Sequence, residues 1–150
     1  SFQDDLYTLA DYTGKYSPTE WATKTVEVYQ MWKADKIVAE VNNGGDLVET
    51  VVKQVNKYVN YEGVYATRNK YTRAEPVAAL MEQGLDHHVG ELPDLESEMT
   101  TWEGKNGSAS PNRIDAKVWA AFALIPELTE YSGRPSGSFA VAMRMGMRLR

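Results

Sequence analysis

Apolar and polar positions along the 150-residue chain change period several times, and each change marks an element. The apolar run Leu6–Ala10 in "LYTLADYTGKYSP" predicts a short strand that ends in polar residues and a glycine. In "SPTEWATKTVEVYQMW", Ser17 stands as an N-cap, Pro18 at the first helical position and Glu20 three residues after the cap, the signature of a helix start. The helix is expected over about Pro18–Lys33, with Trp21, Ala22, Val26, Val28, Tyr29 and Trp32 mostly on one face, as core packing requires. A strand is expected over Lys36–Val41 and, after the turn "NNGG", a helix over about Asp46–Lys57. "GVYATR" (Gly63–Arg68) reads as a strand, "TRAEPVAALMEQG" as a helix ending at Gly84, and "DHHVGEL" as a short extended segment. "LPDLESEMTTWEG" reads as a further helix, "KNGSASPN" as a loop and "RIDAKVWAAFALIPEL" as a closing amphipathic helix. The order strand, helix, strand, helix predicts an α/β sheet with crossover connections.

Composition narrows this. A chain of this length with 43% hydrophobic residues builds one sizeable core, so one domain is expected over residues 1–130. Residues 131–150, rich in glycine, serine, methionine and arginine and without periodicity, read as a C-terminal tail. A formal charge of −5 argues against a uniformly basic protein that coats nucleic acid, while a local basic face stays possible. With no cysteine there is no disulfide framework, thiolate metal site or cysteine nucleophile, so a metal would be held by carboxylates or histidine. No apolar run approaches the length of a membrane span, so no membrane partner is expected.

Candidate chemistry begins at Glu40, a carboxylate inside the run "IVAEV". Burying an ionised carboxylate is costly unless it is paired or binds a metal. A position at the C-terminal end of a strand in an α/β sheet is where such sheets bind ligands. A second acid, Asp115 in "SPNRIDAKVWAAF", opens the last helix where its apolar face begins. The helix dipole alone also accounts for an aspartate there. Together the two make a plausible pair of oxygen ligands for Mg²⁺ or Mn²⁺.

Three stretches, "YSPTEWATKTVEVYQMWKADKIVAEVNNGGDLVETVVKQV", "RNKYTRAEPVAALMEQGLDHHVG" and "LPDLESEMTTWEGKNGSASPNRIDAKVWA", resemble the C-terminal nuclease domain of the large terminase subunit of tailed bacteriophages. The likeness runs from about Leu6 to Leu128. It implies a ribonuclease H-like fold, a central mixed β-sheet flanked by α-helices, with acidic residues holding two divalent ions, Mg or Mn, that cut double-stranded DNA. On the family pattern Glu40 matches the acid of the fourth strand and Asp115 the acid opening the last helix, both catalytic and metal-binding. The buried Glu40 would then have a metal as its partner. Implied partners are concatemeric viral DNA, the terminase small subunit, the portal protein and the ATPase domain of the same large subunit, at the procapsid portal in the host cytoplasm.

The family's first catalytic aspartate, in an Asp-Pro setting on an opening strand, has no match, so the chain is expected to start at the second strand with an incomplete metal site. Asp4, Asp5 and Asp11 lack that context and read as surface acids. Adjacent His87 and His88 point to opposite faces of an extended segment, which favours structural or surface roles. The basic run Arg68, Lys70 and Arg73, extended by Lys105 and Arg113, is expected to contact DNA phosphates. "NNGGD" lacks the lysine and spacing of a phosphate-binding P-loop, so no ATPase resides here. Two functions follow: a metal-dependent endonuclease, or a non-catalytic DNA-binding or docking module of the packaging motor.

Overall fold

A computed structural model describes residues 5–41, 45–104, 111–131 and 141–143. In chain order these form β1 (Leu6–Thr8), α1 (Pro18–Met31), β2 (Ile37–Glu40), α2 (Gly45–Val55), β3 (Tyr61–Val64), α3 (Lys70–Glu82), β4 (Asp86–His88), α4 (Pro93–Thr101), α5 (Asn112–Leu124), α6 (Leu128–Tyr131) and β5 (Val141–Met143). The expected α/β order holds. The strands lie in two small sheets, a parallel pair β1·β4 and a three-stranded sheet in the order β3-β2-β5. In the latter, β2 runs parallel to β3, with Ile37 opposite Tyr61 and Glu40 opposite Val64, and antiparallel to β5, with Val38 opposite Ala142.

Local chemistry explains the helix ends. Ser17 Oγ accepts from the Glu20 amide at 3.4 Å while Glu20 Oε2 accepts from the Ser17 amide at 2.8 Å, closing the capping box that starts α1. Asn69 caps α3 by accepting from the Thr72 amide at 2.9 Å. That helix stops at Gly84, whose φ of 71° lets the Leu85 amide return to the Leu80 carbonyl at 2.9 Å. α5 lacks a side-chain cap of its own. Glu98 of α4 supplies one instead, its Oε1 accepting from the amides of Arg113 (2.8 Å) and Ile114 (3.0 Å).

Two apolar clusters hold these pieces. One joins α1, α2 and β2 through Ala22, Val26, Ile37, Val52 and Val59. The other joins α3 and α5 to β1 through Leu6, Val77, Leu80, Val118, Trp119 and Phe122. Each fully buried Ile or Leu contributes about 1.5–3 kcal/mol. All four residues of β2 are buried. Side chains alternate across a strand, so Ile37 packs towards α1 and α2 while Glu40 turns towards α5.

One expectation needs correction. The third strand lies at Tyr61–Val64 rather than Gly63–Arg68, because its position is set by parallel pairing with β2 rather than by its own sequence. Within the stretch read as a C-terminal tail, Val141–Met143 form β5, which borders the acid-bearing strand.

Candidate active site

The site is assembled from three elements. β2 ends on Glu40. α5 carries Asp115, Trp119 and Phe122 at the spacing that places them on one helix face. α3 presents Arg73, Val77 and Leu80 on its buried face by the same rule. Glu40, Arg73 and Asp115 are 1%, 0% and 2% exposed, an unusual concentration of charge for a protein interior.

One guanidinium joins the two acids. Arg73 Nη1 lies 3.3 Å from Glu40 Oε2 and Nη2 lies 2.6 Å from Asp115 Oδ1. The Trp119 indole donates to the same Glu40 oxygen at 2.8 Å. Its ring carries the guanidinium 5.0 Å from the centroid, a cation–π contact that is strong when desolvated. Phe122 meets Trp119 edge-on at 5.9 Å, which fixes the indole plane. Lys70, one turn earlier on α3, brings Nζ to 3.4 Å from Asp115 Oδ2. Loss of water on burial pushes the Glu40 carboxyl above its ordinary 4.5; the Trp119 hydrogen bond opposes this, the Asp115 charge adds to it and Arg73 opposes it.

The expected site residues therefore divide. Glu40 and Asp115 converge as expected, yet the partners that compensate Glu40 here are a guanidinium and an indole. Arg73 does not lie on a phosphate-contacting surface. It is fully buried, because the two acids need a counter-charge more than the surface needs another cation. Arg113 is also committed: its Nε donates to Asp11 at 2.8 Å, with Asp94 at 3.4 Å and Glu98 at 3.7 Å, tying the segment after β1 to α4 and α5. Arg68 and Lys70 are half-buried at and before the start of α3, and Lys105 lies outside the described residues. Asp5 lies 3.4 Å from His87, Asp11 accepts from Thr13 and Arg113, and Asp4 lies outside the described residues.

The histidines do face apart. His87 stacks on Tyr7 at 4.8 Å. His88 turns inward, its Nδ1 2.9 Å from Glu96 and its Nε2 3.3 Å from Lys117. There it meets a second buried cluster that sequence reasoning missed: Lys117 Nζ donates to Thr8 Oγ1 and to Asp86 Oδ1, both at 2.7 Å. Burial pulls the Lys117 ammonium below its ordinary 10.5, against the Asp86 hydrogen bond and charge. A cavity of about 500 Å³ opens beside this cluster, bordered by Thr8, Tyr12, Trp21, Trp32 and Lys117, and away from Glu40 and Asp115.

Two carboxylates are the donors a hard divalent cation takes, and in kind they fit one. In number they fall short of a two-ion site: no group of three or more acids, histidines or cysteines is placed to hold a metal among the described residues.

Residues 3–124 match the family described as Terminase RNaseH-like domain. No curated protein and no solved structure matches the chain. Among the described residues, no helix is long and apolar enough to cross a membrane.

Proposed function

The chain belongs to the terminase RNaseH-like domain family, and on that premise we propose that it is a metal-dependent endonuclease domain that cuts double-stranded concatemeric viral DNA during genome packaging. One observation carries the reading: two buried carboxylates from separate elements, Glu40 and Asp115, are held at a common point by one guanidinium. A core has no use for two acids beside each other, since each raises the cost of ionising the other. Sites that must bind a cation have that use.

In this reading Glu40 and Asp115 are the residues that hold Mg²⁺ or Mn²⁺. A bound divalent ion would supply charge stabilisation at phosphorus and a water acidic enough to attack near neutral pH. The protein's own part is positional. The end of β2 fixes Glu40, the first turn of α5 fixes Asp115, and Trp119 orients the Glu40 carboxylate through its indole N–H. The surrounding apolar residues keep the pair dry, which strengthens each electrostatic contact. Lys70, whose Nζ lies 3.4 Å from Asp115, and Arg68, two residues ahead of it, are with Lys105 the proposed phosphate contacts. The DNA, the small subunit, the portal and an ATPase domain of the same large subunit are the proposed partners, in the host cytoplasm.

The second reading, a non-catalytic DNA-binding or docking module of the motor, is favoured by one feature: Arg73 already offsets part of the charge of the acid pair. Incubating the protein with plasmid DNA and Mn²⁺ or Mg²⁺ separates the two. Cleavage that falls at least about a hundredfold in Glu40→Gln and in Asp115→Asn supports the enzyme, since direct ligands matter more than the groups that only orient them, whose loss costs ~10–100-fold. DNA binding without cleavage in either metal supports the module.

A further inference from the structure

The acid pair keeps its own cation. We propose that Arg73 is the resident counter-ion and positioning residue of Glu40 and Asp115: it fixes where the two carboxylates meet, and an incoming divalent cation works against its charge. The second half of this proposal rests on the metal-binding reading; the first half does not.

Three observations support it. The guanidinium is fully buried and splits its two terminal nitrogens between the two acids. Arginine's planar fork suits this bridging, whereas an ammonium is a point charge. Its orientation is fixed from below by the Trp119 ring, which is itself hydrogen-bonded to Glu40, so acid, cation and indole form a closed set. Its Nε makes no hydrogen bond among the described residues, so the group is placed here by its charge and not by full satisfaction of its donors. A buried arginine with an unmet donor is a poor way to fill a core and a good way to hold two carboxylates together.

The physical consequence is a balance. With Arg73 in place, the pair is tolerated without metal. Removing the arginine takes away the one buried cation that bridges the two desolvated carboxylates and leaves Lys70, at the edge of the site, beside Asp115, and the folded chain then gains more from a divalent cation than before. Removing the acids together with the arginine abolishes the need for either, because replacing a whole buried ion cluster is far milder than breaking it.

The test uses melting midpoints of the full chain, in EDTA and in Mn²⁺, with Trp fluorescence as the probe because Trp119 touches both Arg73 and Glu40. In EDTA, Arg73→Gln is expected to melt roughly 10 °C below the parent, and the apolar triple variant Arg73→Met/Glu40→Met/Asp115→Leu to recover most of that loss. Arg73→Lys, which keeps the charge and loses the fork, falls between and serves should Arg73→Gln not fold. In Mn²⁺, the upward shift of the midpoint is expected to be severalfold larger in Arg73→Gln, or in Arg73→Lys in its place, than in the parent. A triple variant no more stable than Arg73→Gln in EDTA overturns the counter-ion assignment. Equal Mn²⁺ shifts in parent and variant overturn the opposition between arginine and metal. If Mn²⁺ shifts neither while the EDTA series behaves as expected, the counter-ion stands and the metal-binding reading of the site falls.

Discussion

Two buried charge clusters sit on opposite sides of α5, and they solve the same problem differently. Asp115 and Lys117 are two residues apart, which is about 200° around a helix, so one helix serves both. On the Lys117 side, one ammonium meets one buried carboxylate, Asp86, with Thr8 and His88 completing its donors. On the Asp115 side, two buried carboxylates share one buried guanidinium, and the further cation, Lys70, sits at 3.4 Å and partly in solvent. The perturbed groups differ in kind as well. In the first cluster the cation is pulled down, and in the second the Glu40 acid is pushed up. Among the described residues, the Lys117 cluster sets one buried base against one buried acid, whereas the Arg73 cluster brings two buried acids to one buried base. On the proposed reading it is the second arrangement that suits a cation.

The sharpest way to break this contrast is on the Lys117 side. Lys117→Met leaves the Asp86 carboxylate buried without its partner and is expected to cost about 3–5 kcal/mol in a urea titration. Lys117→Met with Asp86→Leu should return most of it. DNA cleavage per folded molecule should survive the double change, while Glu40→Gln removes it with far less effect on the fold. Cleavage lost in the Lys117/Asp86 double variant would merge the two clusters into one site.

A pH titration of stability comes next. The folded chain binds the Glu40 proton more tightly than the unfolded chain does, because the folded value lies above 4.5. Its contribution is therefore fully present below 4.5 and is lost as pH rises from there through the folded value. Glu40→Gln should remove that fall. Identical pH profiles for parent and variant between pH 4 and 7, read from urea midpoints, would show that Glu40 is not strained by its setting.

The smallest effect belongs to Glu96, which reaches His88 from the exposed side of the Lys117 cluster. The His88 hydrogen bond lowers the Glu96 carboxyl below 4.5. Its contribution is present above 4.5 and lost as pH falls through the folded value. Glu96→Gln should leave the neutral-pH midpoint nearly unchanged, as exposed pairs contribute little. A large loss would mean that the relay from His88 to Lys117 depends on its outer member.

Much of this was legible in the sequence, for reasons visible in single residues. The start of α1 follows from Ser17, Pro18 and Glu20 because a capping box is local chemistry. Glu40 betrayed itself by standing in an apolar run, and Asp115 by opening an apolar helix. Arg73 was misplaced because its neighbours Arg68 and Lys70 suggested a basic surface; the signal against that lay in the spacing of Arg73, Val77 and Leu80, which puts the arginine on the apolar face of α3. The Lys117 joint was invisible, since Thr8, Asp86 and Lys117 meet only in space. The position of β3 and the existence of β5 were equally hidden, because pairing with β2 decides both.

The placement of Asp115 and Lys117 on one helix limits how relatives of this chain can diverge. A residue inserted or lost between them turns everything beyond by about 100°, carrying Lys117 away from Asp86 and Trp119 away from Glu40 in one event. Substitutions at Ala116 leave the phase intact, and length changes ahead of Asn112 fall before the helix begins. The three residues from Asp115 to Lys117 thus form an indivisible word in which letters can change but cannot be added.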